Sequence, residues 1–173
     1  MKKADIIIFS GQSNMAGSAE CLSEDNIVEG AFEYKYFENA LMPLKNPVGE
    51  NITFNGERGE VFMRDDKTGT REKTYATESA AWNHTNLVPE FCRAYVKNAG
   101  VTAIAVHIAR GATEIGEWMP ETPRYALLKK KAAAAIKAAK AEFCIRSVYF
   151  VWLQGESDAV VGSSRQYYKD MLN

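Results

Sequence analysis

Three short polar segments of this chain carry groups able to attack, orient or stabilise: Gly11-Gln12-Ser13-Asn14-Met15, Gly111-Ala112-Thr113-Glu114 and Gln154-Gly155-Glu156-Ser157-Asp158. A serine hydroxyl is a poor nucleophile at neutral pH. It needs a base within hydrogen-bond reach and donors aimed at the oxyanion it creates. Ser13 sits where a strand should turn into a helix, and there its own backbone N–H can face a reacting centre. The small residues around Gly111 can present another N–H without side-chain obstruction. Gln154 can donate its amide, and Glu156 can orient or charge-pair with a base. Acyl transfer to serine is the chemistry these types would perform together. Each has a plainer reading: Ser13 as a helix N-cap, the Gly111 segment as a turn beneath Trp118, and Ser157 or Asp158 as caps.

The elements that must hold them are legible from the hydrophobic pattern. Asp5 to Phe9 reads as a buried strand with turn chemistry behind it. Pro89 and Gly100 bracket a helix over 89–98, and Thr102 to Ile108 follows as a second buried strand. Thr122 caps a long helix to about Phe143, whose lysines at 129–131, 137 and 140 read as a solvated face. Arg146 to Leu153 is a third strand, and Ser163 or Ser164 caps a last helix through Leu172. This alternation predicts an α/β fold of three layers, α/β/α, around a mostly parallel sheet, in a single domain over 1–173. Open parallel sheets place their sites at the carboxyl ends of their strands, where all three polar segments fall. Residues 18–85 break the rhythm with short pieces at Phe32–Phe37, Asn51–Asn55 and Glu60–Arg64, separated by glycines and prolines. We read them as a long connection with small hairpins that forms a substrate-facing flap.

Composition narrows the partners. The 173 residues are 46% hydrophobic and 25% charged, enough for a real core, and the formal net charge of −1 offers no general attraction to nucleic acid or an anionic membrane. No segment is long and apolar enough to span a bilayer. The residues after Met1-Lys2-Lys3 do not form a signal-peptide core. Cys21, Cys92 and Cys144 are odd in number and lack ligand spacing, so reduced thiols, a cytoplasmic location and no metal are expected.

Gly-Gln-Ser-Asn-Met-Ala-Gly at 11–17, Gly-Ala-Thr-Glu-Ile with Trp118, and Trp-Leu-Gln-Gly-Glu-Ser-Asp at 152–158 resemble the carbohydrate-esterase branch of the SGNH hydrolases, which includes sialate O-acetylesterase-like and acetylxylan esterase-like proteins. The resemblance implies a flavodoxin-like fold with Ser13 as nucleophile, assisted by Glu156. Oxyanion donors would be the N–H groups of Ser13 and Gly111 and the side chain of Gln154. Gln12, Asn14, Thr113, Trp118 and Asp158 would meet an acetylated carbohydrate, with no cofactor. Ala112 stands where the family commonly has a second glycine.

One component is missing. The family carries its catalytic histidine near the C-terminus, whereas this chain has only His84 and His107. His107 lies inside the second strand and reads as a core histidine, while His84 precedes the helix at 89. The sequence is therefore expected to be a fragment of a longer product, a shortened relative that covers an open strand edge by dimerising, or a protein whose base comes from His84 or another subunit. Two functions follow: an esterase removing O-acetyl groups from a carbohydrate, or a non-catalytic carbohydrate-binding or assembly module that has lost its base. A nucleotide binder is disfavoured, because the first turn lacks the required glycine spacing.

Overall fold

The structure is a computed structural model that describes residues 1–17, 19–20, 27–64, 71–74 and 84–173. Strand β1 (Lys3–Gly11) leads into the one-turn helix α1 (Ser13–Ala16). The following segment holds β2 (Ala19–Glu20), β3 (Ala31–Lys35), β4 (Ala40–Pro43), β5 (Val61–Arg64), β6 (Arg71–Thr74) and β7 (His84–Thr85). The regular half comprises α2 (Val88–Ala99), β8 (Thr102–Ala109), a 3₁₀ turn (Ile115–Trp118), α3 (Pro123–Glu142), β9 (Cys144–Leu153), α4 (Glu156–Val160) and α5 (Arg165–Leu172). Strand order in the main sheet is β4-β3-β8-β1-β9, parallel except for β4.

β1 lies between β8 and β9 and is buried on both faces, as expected of an almost uninterrupted apolar run in a parallel sheet. Ile7, Phe9, Ala103 and Ala105 point to one side, where Val88 and Cys92 of α2 cover them. Ile6, Ile8, Ile104 and Val106 point to the other, against Leu128, Ala135 and Ala139 of α3. Helices on both faces give the three layers of an α/β fold. The expected caps form: Thr122 Oγ1 accepts from Tyr125 N–H at 3.2 Å, and Ser164 Oγ accepts from Tyr167 N–H at 3.1 Å.

The structure corrects two expectations. The piece at Phe32–Phe37 is more than a flap hairpin: β3 pairs with β4, but also lies parallel to β8 as an integral strand. Its Glu33 and Lys35 disguised it. Glu33 is buried because it accepts from Gly49 N–H at 2.8 Å and pairs with Lys35 at 2.7 Å. Other parts of the 18–85 segment are a bridge between Ile52 and Arg58, the β5–β6 hairpin and the β2–β7 ribbon. Cys21 lies outside the described residues; Cys92 is buried and Cys144 exposed, both as free thiols. Among the described residues no helix is long and apolar enough to cross a membrane.

The second correction concerns Lys131, assigned to a solvated helix face but fully buried. Its ammonium pairs with Glu50 at 2.7 Å, and Glu50 also accepts from Tyr36 and Phe37 N–H at 2.7 and 3.2 Å. Burial pushes the Glu50 carboxyl upward, but the Lys131 ammonium and the two N–H groups outweigh it and hold the group below its ordinary value. Lys131→Ala, which leaves Glu50 buried without its cation, should cost about 3–5 kcal/mol. Urea unfolding would register this, and Lys131→Ala combined with Glu50→Gln should recover part of the loss.

Candidate active site

Register brings the three polar segments together. Gly11, the last residue of β1, lies between Ala109 of β8 and Leu153 of β9. Gln12 N–H donates to Leu153 O at 3.0 Å, and Arg110 N–H donates to Gly11 O at 3.0 Å. The chain therefore leaves all three strands at one level, with Ser13, Gly111 and Gln154 in neighbouring turns.

Side-chain amides join these turns. Gln12 is buried, and its Oε1 accepts from Gln154 Nε2 at 3.1 Å and from the N–H groups of Gly155 and Ser157 at 3.3 and 3.2 Å. The start of α4 is thus held by a side chain from the β1 turn, not by Ser157 or Asp158 as the plainer reading expected. Gln154 Nε2 also lies 2.8 Å from Thr113 O and 2.6 Å from Asp158 Oδ2, so its two N–H bonds face three acceptors. Asp158 Oδ2 accepts from Ile115 N–H at 2.9 Å, and Oδ1 has no partner among the described residues.

Thr113 ties its turn down from inside: its hydroxyl donates to Arg110 O at 2.9 Å and accepts from Trp118 Nε1 at 3.1 Å. The Tyr168 hydroxyl accepts from Trp152 Nε1 at 3.1 Å and donates toward Gln154, whose O and Oε1 lie 2.8 and 2.7 Å away. Burial raises the Tyr168 phenol above its ordinary value and keeps it a donor. Tyr168 comes from α5, and no spacing in the sequence connects it with Gln154.

Of the expected substrate contacts, Gln12, Thr113, Trp118 and Asp158 are buried, engaged in holding the turns. Asn14 is exposed and donates its amide to Glu156 Oε1, linking the first and third motifs at the surface. Ser13 opens α1 and is half-buried. Ala112 adopts φ +55°, the left-handed conformation that a glycine takes without steric cost.

The two histidines occupy different places. The backbone of His84 pairs with Glu20 in the β2–β7 ribbon. His107 is buried on β8 beside Phe9, with Nε2 2.9 Å from Met15 O. A carbonyl only accepts, so Nε2 carries a proton. Burial chiefly, with the charges of Lys131 and Lys35, lowers its pKa to about 4 against the opposing pull of the Met15 carbonyl and Glu50. A cavity of about 360 Å³ opens beyond β8, with Asn51, Phe54, Glu60, Arg110, Trp118 and Arg124 among its walls. The Arg124 guanidinium lies 5.2 and 5.3 Å from the Phe54 and Trp118 ring centres and bonds Glu117 at 2.9 Å. Among the described residues no cluster of side chains could hold a metal ion.

The fold and the three joined turns define a three-layer α/β/α architecture with a serine at the carboxyl end of a parallel strand. The family of carbohydrate esterases described as sialic acid-specific acetylesterases matches residues 3–173, and the chain belongs to that family. Among solved structures it is similar to a protein from Arabidopsis thaliana, at 21% identity and TM-score 0.46, covering 89% of this chain and 58% of that one. It is also similar to a carbohydrate acetylesterase from Xanthomonas citri, at 17% identity and TM-score 0.43, covering 97% of this chain and 36% of the other. The chain therefore spans about half the length of these structures, or less. No curated protein matches it.

Two stability measurements check this geometry. Because His107 is depressed from 6.5 to about 4, the unfolded chain takes up a proton that the folded chain refuses. The contribution is fully present above pH 6.5 and lost as pH falls toward 4; the loss should reach roughly 3 kcal/mol by denaturant titration and be absent in His107→Gln. Ala112→Gly, which removes the left-handed strain at some cost in chain entropy, should raise stability by about 0.5–1 kcal/mol in the same assay.

Proposed function

We propose that the chain carries the nucleophile and oxyanion donors of a carbohydrate O-acetylesterase, acting on an acetylxylan or sialic-acid type of substrate through an acyl-enzyme on Ser13. The observation that carries this reading is the joining of the Ser13, Gly111 and Gln154 turns at one sheet edge, locked by Gln12 Oε1. Membership of the carbohydrate esterase family supports it.

In the reaction a base takes the Ser13 hydroxyl proton while Oγ attacks the acetyl carbonyl. The backbone N–H groups of Ser13 and Gly111 meet the oxyanion. Gln154 adds a third donor by turning one N–H away from its surplus of acceptors. The sugar oxygen leaves with a proton, and water then releases acetate from the acyl-enzyme. Glu156, joined to Asn14, supports the base. His107 is not that base, because its Nε2–H is committed to Met15 O and burial lowers its pKa to about 4, leaving it a poor proton acceptor. The sugar enters the cavity walled by Phe54, Trp118 and Arg124, whose mixture of ring and hydrogen-bonding surface suits a sugar.

A second reading, a carbohydrate-binding module without turnover, draws on the same cavity and on the lack of a base among the described side chains. Hydrolysis of p-nitrophenyl acetate by the wild type, Ser13→Ala and His84→Ala decides between them. Loss of turnover in Ser13→Ala supports the esterase, and loss in His84→Ala as well identifies the base. Serine-independent or absent turnover supports the module. In an active protein, Arg124→Ala should raise KM for an acetylated xylo-oligosaccharide about tenfold and leave p-nitrophenyl acetate hydrolysis within about twofold, since only the sugar reaches that cavity.

A further inference from the structure

We propose that His107 is a positioning residue for the turn that bears Ser13, holding that turn to the sheet through the carbonyl of Met15. The kinetic part of this inference rests on the esterase reading; the structural part does not.

α1 is a four-residue helix that opens with Ser13. So short a helix has no stability of its own, and its last carbonyls have no partners within it. Two backbone bonds close it: Ala16 N–H to Gln12 O and Gly17 N–H to Ser13 O, each 2.8 Å. The carbonyls of Met15 and Ala16 point onward. Ala16 O accepts from Asn86 Nδ2 at 3.2 Å, and Met15 O lies 2.9 Å from His107 Nε2. Both of these side-chain donors come from outside the turn, and of the two His107 belongs to the main sheet.

The histidine is fixed on every side. Its backbone is paired with Phe9 of β1, the strand that delivers Ser13. Its other ring nitrogen faces Gly49, where a Cβ would lie 2.6 Å from Nδ1. Because Gly49 has no Cβ, the loop can lie directly on the ring, which seals it from water. A buried histidine satisfied by any convenient carbonyl would be ordinary packing. Here the acceptor belongs to the second residue after the nucleophile, on a unit without support of its own. Displacing such a nucleophile by about 1 Å is enough to reduce rate on the order of a hundredfold. Asn86 makes the longer of the two bonds, and its Oδ1 accepts from Val88 N–H at the start of α2, so it ties the turn to that helix while His107 ties it to the sheet.

The test compares His107→Phe, which keeps ring bulk but loses the donor, with His107→Gln, which keeps an N–H donor. Two quantities are read: amide hydrogen exchange across residues 12–17, and the rate at which a fluorophosphonate labels Ser13. In His107→Phe, exchange at Ala16 and Gly17 should quicken about tenfold or more while β1 and β8 amides stay within about twofold, and labelling should slow about 10- to 100-fold. His107→Gln should return both to within about threefold of wild type. Wild-type exchange in the turn of His107→Phe overturns the proposal. So does uniform loosening of the whole sheet, or a glutamine variant as impaired as the phenylalanine one. If His107→Phe does not fold, His107→Met replaces it with the same criteria. Should the wild-type serine resist labelling, the esterase reading fails, and the exchange comparison still decides the role of His107.

Discussion

The site depends first on the close approach of Gly11 to Leu153. A Cβ on Gly11 would fall 1.9 Å from Leu153 O, and its φ of +147° is one that L side chains rarely adopt. Glycine lets the end of β1 press against β9 while Gln12 N–H reaches Leu153 O, and the same peptide offers its carbonyl to Arg110 N–H. One residue without a side chain thereby levels three strand ends. Any shift of β1 relative to β8 or β9 would separate the Ser13, Gly111 and Gln154 turns along the strand direction by about 3.3 Å per residue.

Above that level the connections are mostly neutral amides. Gln12 and Gln154 bind each other and the surrounding backbone with groups that do not change charge across the working pH range. The sheet manages charge differently. Asp5, buried near the start of β1, accepts two bonds from Arg146, at 3.2 and 2.6 Å, and one from Tyr95 at 2.7 Å. Arg146 above all holds its carboxyl below the ordinary value, although burial alone would raise it. Charges in the sheet are thus neutralised in pairs, at Asp5 and at Glu50–Lys131, while the turns around Ser13 are tied mostly by amide and backbone dipoles, with the Asp158 and Glu156 carboxylates accepting from them. A low local dielectric makes each of those neutral bonds stronger and each broken one more costly.

How much of this was legible in the sequence follows from which interactions are local. Strands β1, β8 and β9 and helices α2, α3 and α5 announce themselves through apolar runs and through Thr122, Ser164, Pro89 and Gly100 acting within a few residues of their own positions. Strand β3 did not, because its Glu33 and Lys35 are acceptable in a sheet only when Gly49, distant in sequence, supplies an N–H. Lys131 was misread for the same reason: its partner Glu50 is 81 residues away. The three polar motifs could be found by type and spacing, but the inward engagement of Gln12, Thr113 and Asp158 could not. A glutamine that orders a turn and one that binds substrate are identical in sequence.

In the proposed esterase, rigidity would also divide the labour of catalysis. Ser13, Gly111 and Gln154 each leave a strand of one parallel sheet, so their mutual positions are set by backbone pairing. A base has a different task. In the proposed reaction it would approach the serine, accept a proton, turn toward the leaving oxygen and return the proton, which favours an imidazole on a segment outside the sheet. His107 illustrates why a sheet position is unsuitable: the bond to Met15 O that steadies the turn also fixes its tautomer and removes the very nitrogen facing α1 from proton transfer. The immobility that would qualify His107 to hold the Ser13 turn would also disqualify it from serving as the base of the proposed reaction.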